Sequence, residues 1–227
     1  MKAKFYSVGV GPGDPKLITY KAVETIQACD VIALPRSGAA ENAVLKIAAA
    51  HIKNKPTLFC DMPMIRNQAA LEKHHNQAAA DIAAYLDAGK NVAFLTLGDP
   101  AVYASCMYIH SRLQNKGYDT EMISGVPSFC AAAAALNIPL CEGGEMLHII
   151  PASYENTADV LGLQGTKIFM KAGKQIPQVK NMLKTIKGRA MAVERCGMEQ
   201  EIIHTTLDTV AEDASYFTVL VLKEGKQ

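Results

Sequence analysis

A chain of 227 residues, 49% hydrophobic and 20% charged, can bury a real core, which excludes a disordered chain; one large domain or two compact halves both fit the length. The 23 Lys and Arg against 22 Asp and Glu leave a formal charge of +1, which argues against a global electrostatic grip on nucleic acid or an anionic membrane. Lys4 to Val10 reads as a strand ending in a glycine turn. Leu17 to Cys29 carries helical spacing through Leu17, Ile18, Ala22, Val23 and Ile26. Val31 to Leu34 is a short buried strand stopped by Pro35, and Asn42 to Ala50 is a short helix. Thr57 to Cys60 is a further strand, and Ala69 to Ala88 is an alanine-rich helix ending at Gly89. Asn91 to Leu97 is a buried strand, and Val102 to Asn115 a helix closed by Gly117. Strands separated by helices predict an α/β fold with a largely parallel sheet.

The second half is denser in strands. Thr120 to Ile123, Leu147 to Pro151, Lys167 to Met170, Arg189 to Glu194, Glu201 to Thr206 and Tyr216 to Leu222 all read as strands. Ser128 to Leu136 is an apolar helix and Gln178 to Ile186 a second one. This pattern predicts a mixed or antiparallel sheet. The polar segment around Gly117 sets the expected boundary: 1–116 as an N-terminal α/β domain and 117–227 as a C-terminal one.

The six cysteines form no C-x-x-C pair and mostly sit beside apolar residues. Buried free thiols explain them better than disulfides or a zinc site, and no metal site is expected. Met1 to Phe5 shows no apolar leader core, and the longest apolar run, Phe129 to Leu136, is far short of the ~20 residues that cross a bilayer. A cytoplasmic protein is therefore expected, with no nucleic-acid or membrane partner.

Three segments carry possible chemistry. Gly9-Val10-Gly11-Pro12-Gly13-Asp14-Pro15 follows the first strand, where glycines let the backbone turn and a ligand approach. It is not G-x-G-x-x-G, since the third glycine comes one position early, and no Lys-Ser/Thr completes a phosphate loop. A strand-to-helix turn with Asp14 as a cap accounts for it equally well. Thr96-Leu97-Gly98-Asp99-Pro100 closes a buried strand, at the end where open α/β sheets bind ligands. Asp99 is either a ligand acceptor or the cap of the next helix. In Ser124-Gly125-Val126-Pro127-Ser128, Ser128 opens an alanine-rich helix. The adjacent His74 and His75 point about 100° apart on a helix, which makes a poor metal pair and predicts a solvated face. Met170 reads as core filler, and Arg36, Arg66 and Lys73 are candidate carboxylate holders or solvated cations.

Taken together and in this order, the three segments and Val193-Glu194-Arg195 resemble the tetrapyrrole methylases over nearly the whole chain. Leu34-Pro35-Arg36-Ser37, Met62-Pro63-Met64, Phe94 to Pro100 with Tyr103, Ser128 to Ala132 and Pro139 to Gly143 resemble the branch of that family that methylates C20 of a cobalamin precursor. Leu97 stands where uroporphyrinogen methylases carry a glycine, and Ser124 where the family usually has proline. The resemblance implies a two-domain homodimer with the methyl donor S-adenosylmethionine in the cleft between domains and the substrate in a trough on the first. It assigns cofactor contacts to Pro12, Leu97, Gly98, Asp99, Val102, Tyr103, Pro127, Ser128, Met170, Arg195 and Cys196. It assigns substrate contacts to Gly11, Asp14, Arg36 and Arg66.

The implied substrate is cobalt-factor II (cobalt-sirohydrochlorin) or precorrin-2. Its C20 meso carbon attacks the sulfonium methyl and then loses a proton; the sequence identifies no base for that proton. Aligning two bound molecules can supply roughly 7–11 kcal/mol of the barrier, so no nucleophilic side chain is expected. Another S-adenosylmethionine-dependent tetrapyrrole methylase is one alternative; a methylase of the diphthine type would not be expected to carry the Leu34 to Ser37 and Met62 to Met64 likenesses. A nucleotide-binding oxidoreductase would need an acid after the second strand, where Leu34-Pro35-Arg36 stands.

Overall fold

A computed structural model describes residues 2–36, 39–63, 65, 67–152 and 162–224. It divides into two compact units, Met1–Pro127 and Ser128–Gln227.

The first unit is built on five strands: β1 Lys4–Gly9, β2 Val31–Arg36, β3 Thr57–Asp61, β4 Val92–Thr96 and β5 Asp119–Ile123. All pair in parallel, in the order β3-β2-β4-β1-β5. Both faces of the sheet are covered, as a parallel sheet requires. On one face Phe5, Ala33 and Phe94 pack against α3 (Gln68–Asp87) and α4 (Cys106–Asn115) through Ile82, Leu86, Ile109 and Leu113. On the other, Val8, Ile32, Leu34 and Leu95 pack against α1 (Tyr20–Ala28) and α2 (Ala39–Ala48) through Ile26, Val44 and Ile47. Each such side chain fully withdrawn from water contributes about 1.5–3 kcal/mol before entropy is counted.

Local signals set the helix limits. Thr19 caps α1 by accepting from the Ala22 N–H at 3.2 Å, and Asn67 caps α3 by accepting from Ala70 at 3.0 Å. The α3 helix stops where Gly89 adopts a left-handed φ of 75°.

The second unit is a mixed sheet of β6 Leu147–Pro151, β7 Thr166–Met170, β8 Arg189–Glu194, β9 Ile202–His204 and β10 Thr218–Lys223, ordered β6-β7-β10-β8-β9. The β6 and β7 strands are parallel; the other pairings are antiparallel. Phe169, Ala192, Leu220 and Leu222 pack with Ile176, Val179 and Leu183 of α6 (Ile176–Leu183). The intervening residues Ile168, Met191, Val193, Val219 and Val221 are buried as well, and α5 (Ser128–Leu136) packs on β8 and β10. Among the described residues no helix is long and apolar enough to cross a membrane, and no His, Cys, Asp and Glu group could hold a metal ion.

Several expectations need correction. The boundary falls at Pro127/Ser128, not at 116/117, because β5 pairs with β1 and completes the first sheet. Pro35 does not stop β2. Its missing N–H points toward β4, whose pairing with β2 has already ended at Ala33, so no ladder bond is lost while pairing with β3 runs on to Arg36. The helix α1 begins at Tyr20 rather than Leu17, because Pro15–Leu17 form a separate 3-10 turn. The helix α4 begins at Cys106 rather than Val102, since Tyr103 takes a left-handed φ of 49°. The second unit's α6 runs Ile176–Leu183, not Gln178 to Ile186.

The six cysteines are free, and Cys29, Cys60, Cys106 and Cys196 are buried; Cys130 and Cys141, expected inside, are exposed. His75 is not on a solvated face. It is buried in α3 and stacked on Tyr108 of α4, with ring centroids 4.7 Å apart.

Two buried histidines make stability depend on pH. Burial lowers the pKa of His75, and the Arg112 charge adds to this; burial alone lowers that of His110. Below the ordinary value of 6.5 the unfolded chain takes up these protons before the folded one does. Stability should therefore be full above pH 6.5 and decline as pH falls through 6.5 toward the folded-state values. Denaturant unfolding at stepped pH checks this, and His75→Phe with His110→Gln should flatten the slope.

Candidate active site

The site begins with the order of the strands. Because β1 lies between β4 and β5, the loops after these three strands emerge side by side at the carboxyl edge of the sheet. They are the three glycine-bearing segments. The helices that follow β1 and β4 leave for opposite faces, which opens a crevice at that edge, the usual ligand position of an open α/β sheet.

At the crevice the backbones meet without side chains between them. Gly11 and Gly98 form a two-way bridge, Gly98 N–H donating to Gly11 at 2.8 Å and Gly11 N–H to Gly98 at 3.3 Å. A Cβ on Gly9 would lie 2.6 Å from the Gly98 carbonyl oxygen, and one on Gly125 would lie 2.2 Å from it. Gly98 itself differs. Its φ is 73°, and an added Cβ would meet only Pro127 Cα, at 4.0 Å. Its outer side is thus open to a ligand that needs the backbone close.

Asp99 is not the cap of the next helix, which begins at Cys106, and both of its carboxylate oxygens bond backbone of the loops. One carboxylate oxygen accepts from Ala101 N–H at 2.7 Å, closing the turn into Val102. The other accepts from Gly125 N–H at 3.0 Å, tying the β4 loop to the β5 loop. Asp14 caps the 3-10 turn by accepting from Lys16 at 2.9 Å. Thr19 donates to the Ser124 carbonyl at 3.2 Å, so the start of α1 also holds the β5 loop.

A buried polar cluster lies just before these loops, and sequence reasoning did not single it out. Ser7 of β1, wholly buried, bonds His110 Nδ1 of α4 at 2.9 Å. Burial pushes the Cys106 thiol up to about 12, against hydrogen bonds to Thr96 and Ser7 that favour the thiolate; it stays a neutral thiol. The only hint in the sequence was the polar Ser7, two residues before the first glycine of an apolar strand.

The structure thus brings Gly11, Pro12, Leu97, Gly98, Asp99 and Pro127 together in one unit, with Val102 and the exposed Tyr103 in the turn beyond. Arg36 ends β2, separated from β1 by β4, and already pairs with Asp61 at 3.3 Å. Arg66 lies outside the described residues, as do Ser37 and Met64 of the motifs. Lys73 is exposed on α3.

In the second unit, Met170 ends β7 and the Arg195-Cys196 turn follows β8; the two strands end on the same sheet edge with β10 between them. Met170 and Cys196 are buried, and burial pushes the Cys196 thiol up to about 12. Arg195 and Lys171 both adopt left-handed φ, at 50° and 55°. Ser128 opens α5 directly after Pro127.

Gly125→Ala should destabilise the protein by on the order of 2–3 kcal/mol or more, because backbone rather than a flexible side chain meets the new methyl. Gly144→Ala, whose Cβ would meet nothing within 4 Å, is the control, and thermal unfolding of both reads the difference. Asp99→Ala should cost about 1–3 kcal/mol by leaving the Gly125 N–H unpaired, and Asp99→Asn less, as judged by urea unfolding.

The chain matches the model of the tetrapyrrole (corrin/porphyrin) methylases over residues 4–211. It is 31% identical to a probable cobalt-precorrin-2 C(20)-methyltransferase of Methanocaldococcus jannaschii, over 99% of this chain and 97% of that one. It is 28% identical to a precorrin-2 C(20)-methyltransferase of a Sinorhizobium species, over 98% and 96%. Among solved structures, a cobalt precorrin-4 methyltransferase superposes with a TM-score of 0.78 at 23% identity, over 97% of this chain and 94% of that one. A uroporphyrin-III C-methyltransferase of Thermus thermophilus, complexed with S-adenosylhomocysteine, superposes with a TM-score of 0.74 at 21% identity, over 98% of each chain. With its glycine junction at the carboxyl edge of a parallel sheet and its match over residues 4–211, the chain belongs to the tetrapyrrole methylase family.

Proposed function

We propose that the protein is the S-adenosylmethionine-dependent methyltransferase that methylates C20 of cobalt-sirohydrochlorin, or of its metal-free counterpart precorrin-2, in cobalamin biosynthesis. The observation that carries this reading is the likeness along the whole chain to two C20-methyltransferases. The open backbone at Gly98 supports it, because that is where an added side chain would find space rather than protein.

S-adenosylmethionine supplies, when bound, the methyl group that C20 takes up. The chain's share is binding and alignment. Pro12, Leu97, Gly98, Asp99, Val102, Tyr103 and Pro127 would hold the methyl donor from the first unit, and Ser128, Met170, Arg195 and Cys196 from the second. Gly11, Asp14, Arg36 and Arg66 would meet the tetrapyrrole. Asp99 keeps the Gly98 backbone in place through its two hydrogen bonds, so it serves the site by orientation. The high thiol pKa values of Cys106 and Cys196 speak against a cysteine nucleophile, in keeping with chemistry in which the substrate carbon itself attacks. The same reading makes the enzyme a cytoplasmic homodimer.

Purified protein should bind S-adenosylhomocysteine with micromolar affinity by calorimetry, on the order of many enzyme ligands. Incubated with S-adenosylmethionine and cobalt-sirohydrochlorin or precorrin-2 separately, it should add one methyl group, located at C20 by mass spectrometry and NMR. Binding of NADH in place of S-adenosylhomocysteine, or methylation at another carbon, would reject the reading.

A further inference from the structure

We propose that Arg36, Phe59 and Asp61 form a carboxylate-binding platform for the rim of the tetrapyrrole, with Asp61 as the positioning residue that sets the Arg36 guanidinium. The inference rests on the reading above and adds two residues that neither the motifs nor the family resemblance pointed to.

The platform follows from register. In the parallel ladder of β2 and β3, Arg36 lies opposite Asp61. Phe59, two residues earlier, shares the exposed face of β3 with Asp61, while Cys60 between them is buried on the other face. The Arg36 guanidinium crosses this face. Its carbon lies 5.3 Å from the Phe59 ring centroid, and Nη1 donates to Asp61 Oδ1 at 3.3 Å. Both charged side chains are 58% exposed. An ion pair in that much water adds little to stability, so the fold does not account for the arrangement.

Its chemistry suits a ligand. A guanidinium has five N–H donors in a planar fork, and Asp61 takes one of them. No other described residue bonds the group, so the remaining donors can take a second carboxylate in a two-bond fork. The guanidinium lies over the Phe59 ring and is itself flat and exposed, so the stacked pair presents one planar face beside the open donors. A planar macrocycle with carboxylates around its rim matches both features at once. The platform stands at the carboxyl ends of β2 and β3, on the same edge of the first sheet as the glycine junction. Asp61 cannot itself attract a polyanion. Its part is to hold the guanidinium across the ring with the outer donors turned away from the protein.

The test compares wild type with Asp61→Ala, Asp61→Asn, Arg36→Ala and the double variant Asp61→Ala/Arg36→Ala. Steady-state kinetics and absorbance titration with cobalt-sirohydrochlorin are read beside calorimetry with S-adenosylhomocysteine and melting temperature. Asp61→Ala should raise the tetrapyrrole KM and Kd about two- to fivefold, the size an exposed ion pair carries. The change should fall on KM rather than kcat, with S-adenosylhomocysteine affinity and melting temperature as in wild type. Asp61→Asn should recover part of the loss, since its amide oxygen still accepts the Arg36 bond. Arg36→Ala should raise KM about tenfold or more. The double variant should be no worse than Arg36→Ala, because Asp61 acts only through Arg36.

A lower KM in Asp61→Ala would show that Asp61 competes with the substrate and would overturn the proposal; so would effects that simply add in the double variant. Wild-type turnover with every variant unchanged would remove the platform and leave the methylase reading standing. A wild type that methylates neither tetrapyrrole would reject the methylase reading, and absence of saturable tetrapyrrole binding in the titration would then reject the platform as well.

Discussion

Three chain segments that begin far apart in sequence must touch backbone to backbone, and this close approach is the constraint on which the candidate site depends. Gly9 and Gly125 both meet the Gly98 carbonyl at separations that leave no room for a methyl group on either. The parallel pairing of β1 with β4 and with β5 delivers the three loops to one place. Hydrogen bonds then fix their relative height: the Gly11–Gly98 bridge joins the first two, and the Asp99 carboxylate joins the second to the third. Close packing of main chain makes the junction stiff, while the open side of Gly98 keeps one stretch of backbone available.

Apart from His75 Nδ1, which is buried without a hydrogen-bond partner, buried polar side chains of the described residues pair in ways that tie separate elements together. Ser7 and His110 join β1 to α4 in the first unit. In the second, Glu194 at the end of β8 bonds His204 of β9 at 2.9 Å and accepts from the Ser215 N–H at 3.2 Å, while His204 bonds Thr209 at 2.9 Å. Burying such groups is costly unless they are bonded, so each network favours one arrangement of its strands over slipped alternatives. The Glu194 network stands directly before the left-handed Arg195, and so secures the strand end from which that turn departs.

Much of this was legible in the sequence. Among the described residues the sequence pattern located the strands and α-helices within a few residues, though not the 3-10 turns, and the alternation of β1 to β5 with helices carried the parallel sheet. What escaped was decided by pairing rather than by local pattern. Pro35 reads as a strand stop, yet it is harmless where the neighbouring strand has already ended. His75 lies in a polar stretch, but its place on α3 with Ala78, Ala79 and Ile82 turns it inward. Asp99 reads as a cap or a ligand, and only the position of Gly125 reveals the second hydrogen bond. Asp61 and Arg36 are 25 residues apart, and nothing short of the β2–β3 register brings them face to face.

The strand orders also bear on how the chain is made. Within the first sheet the strand synthesised first, β1, occupies an inner position, and its neighbours are β4 and β5. Its two hydrogen-bonding edges wait for residues beyond Val92 and then beyond Asp119, a delay on the order of ten seconds at ordinary rates of synthesis. The second unit mirrors this, because its last strand, β10, lies between β7 and β8. Neither sheet can be completed from one end of the chain inward. In the nascent chain β1 waits for β4 and β5, and β7 and β8 wait for β10, a condition that favours chaperone capture during translation and makes termination before Thr218 fatal to the second sheet.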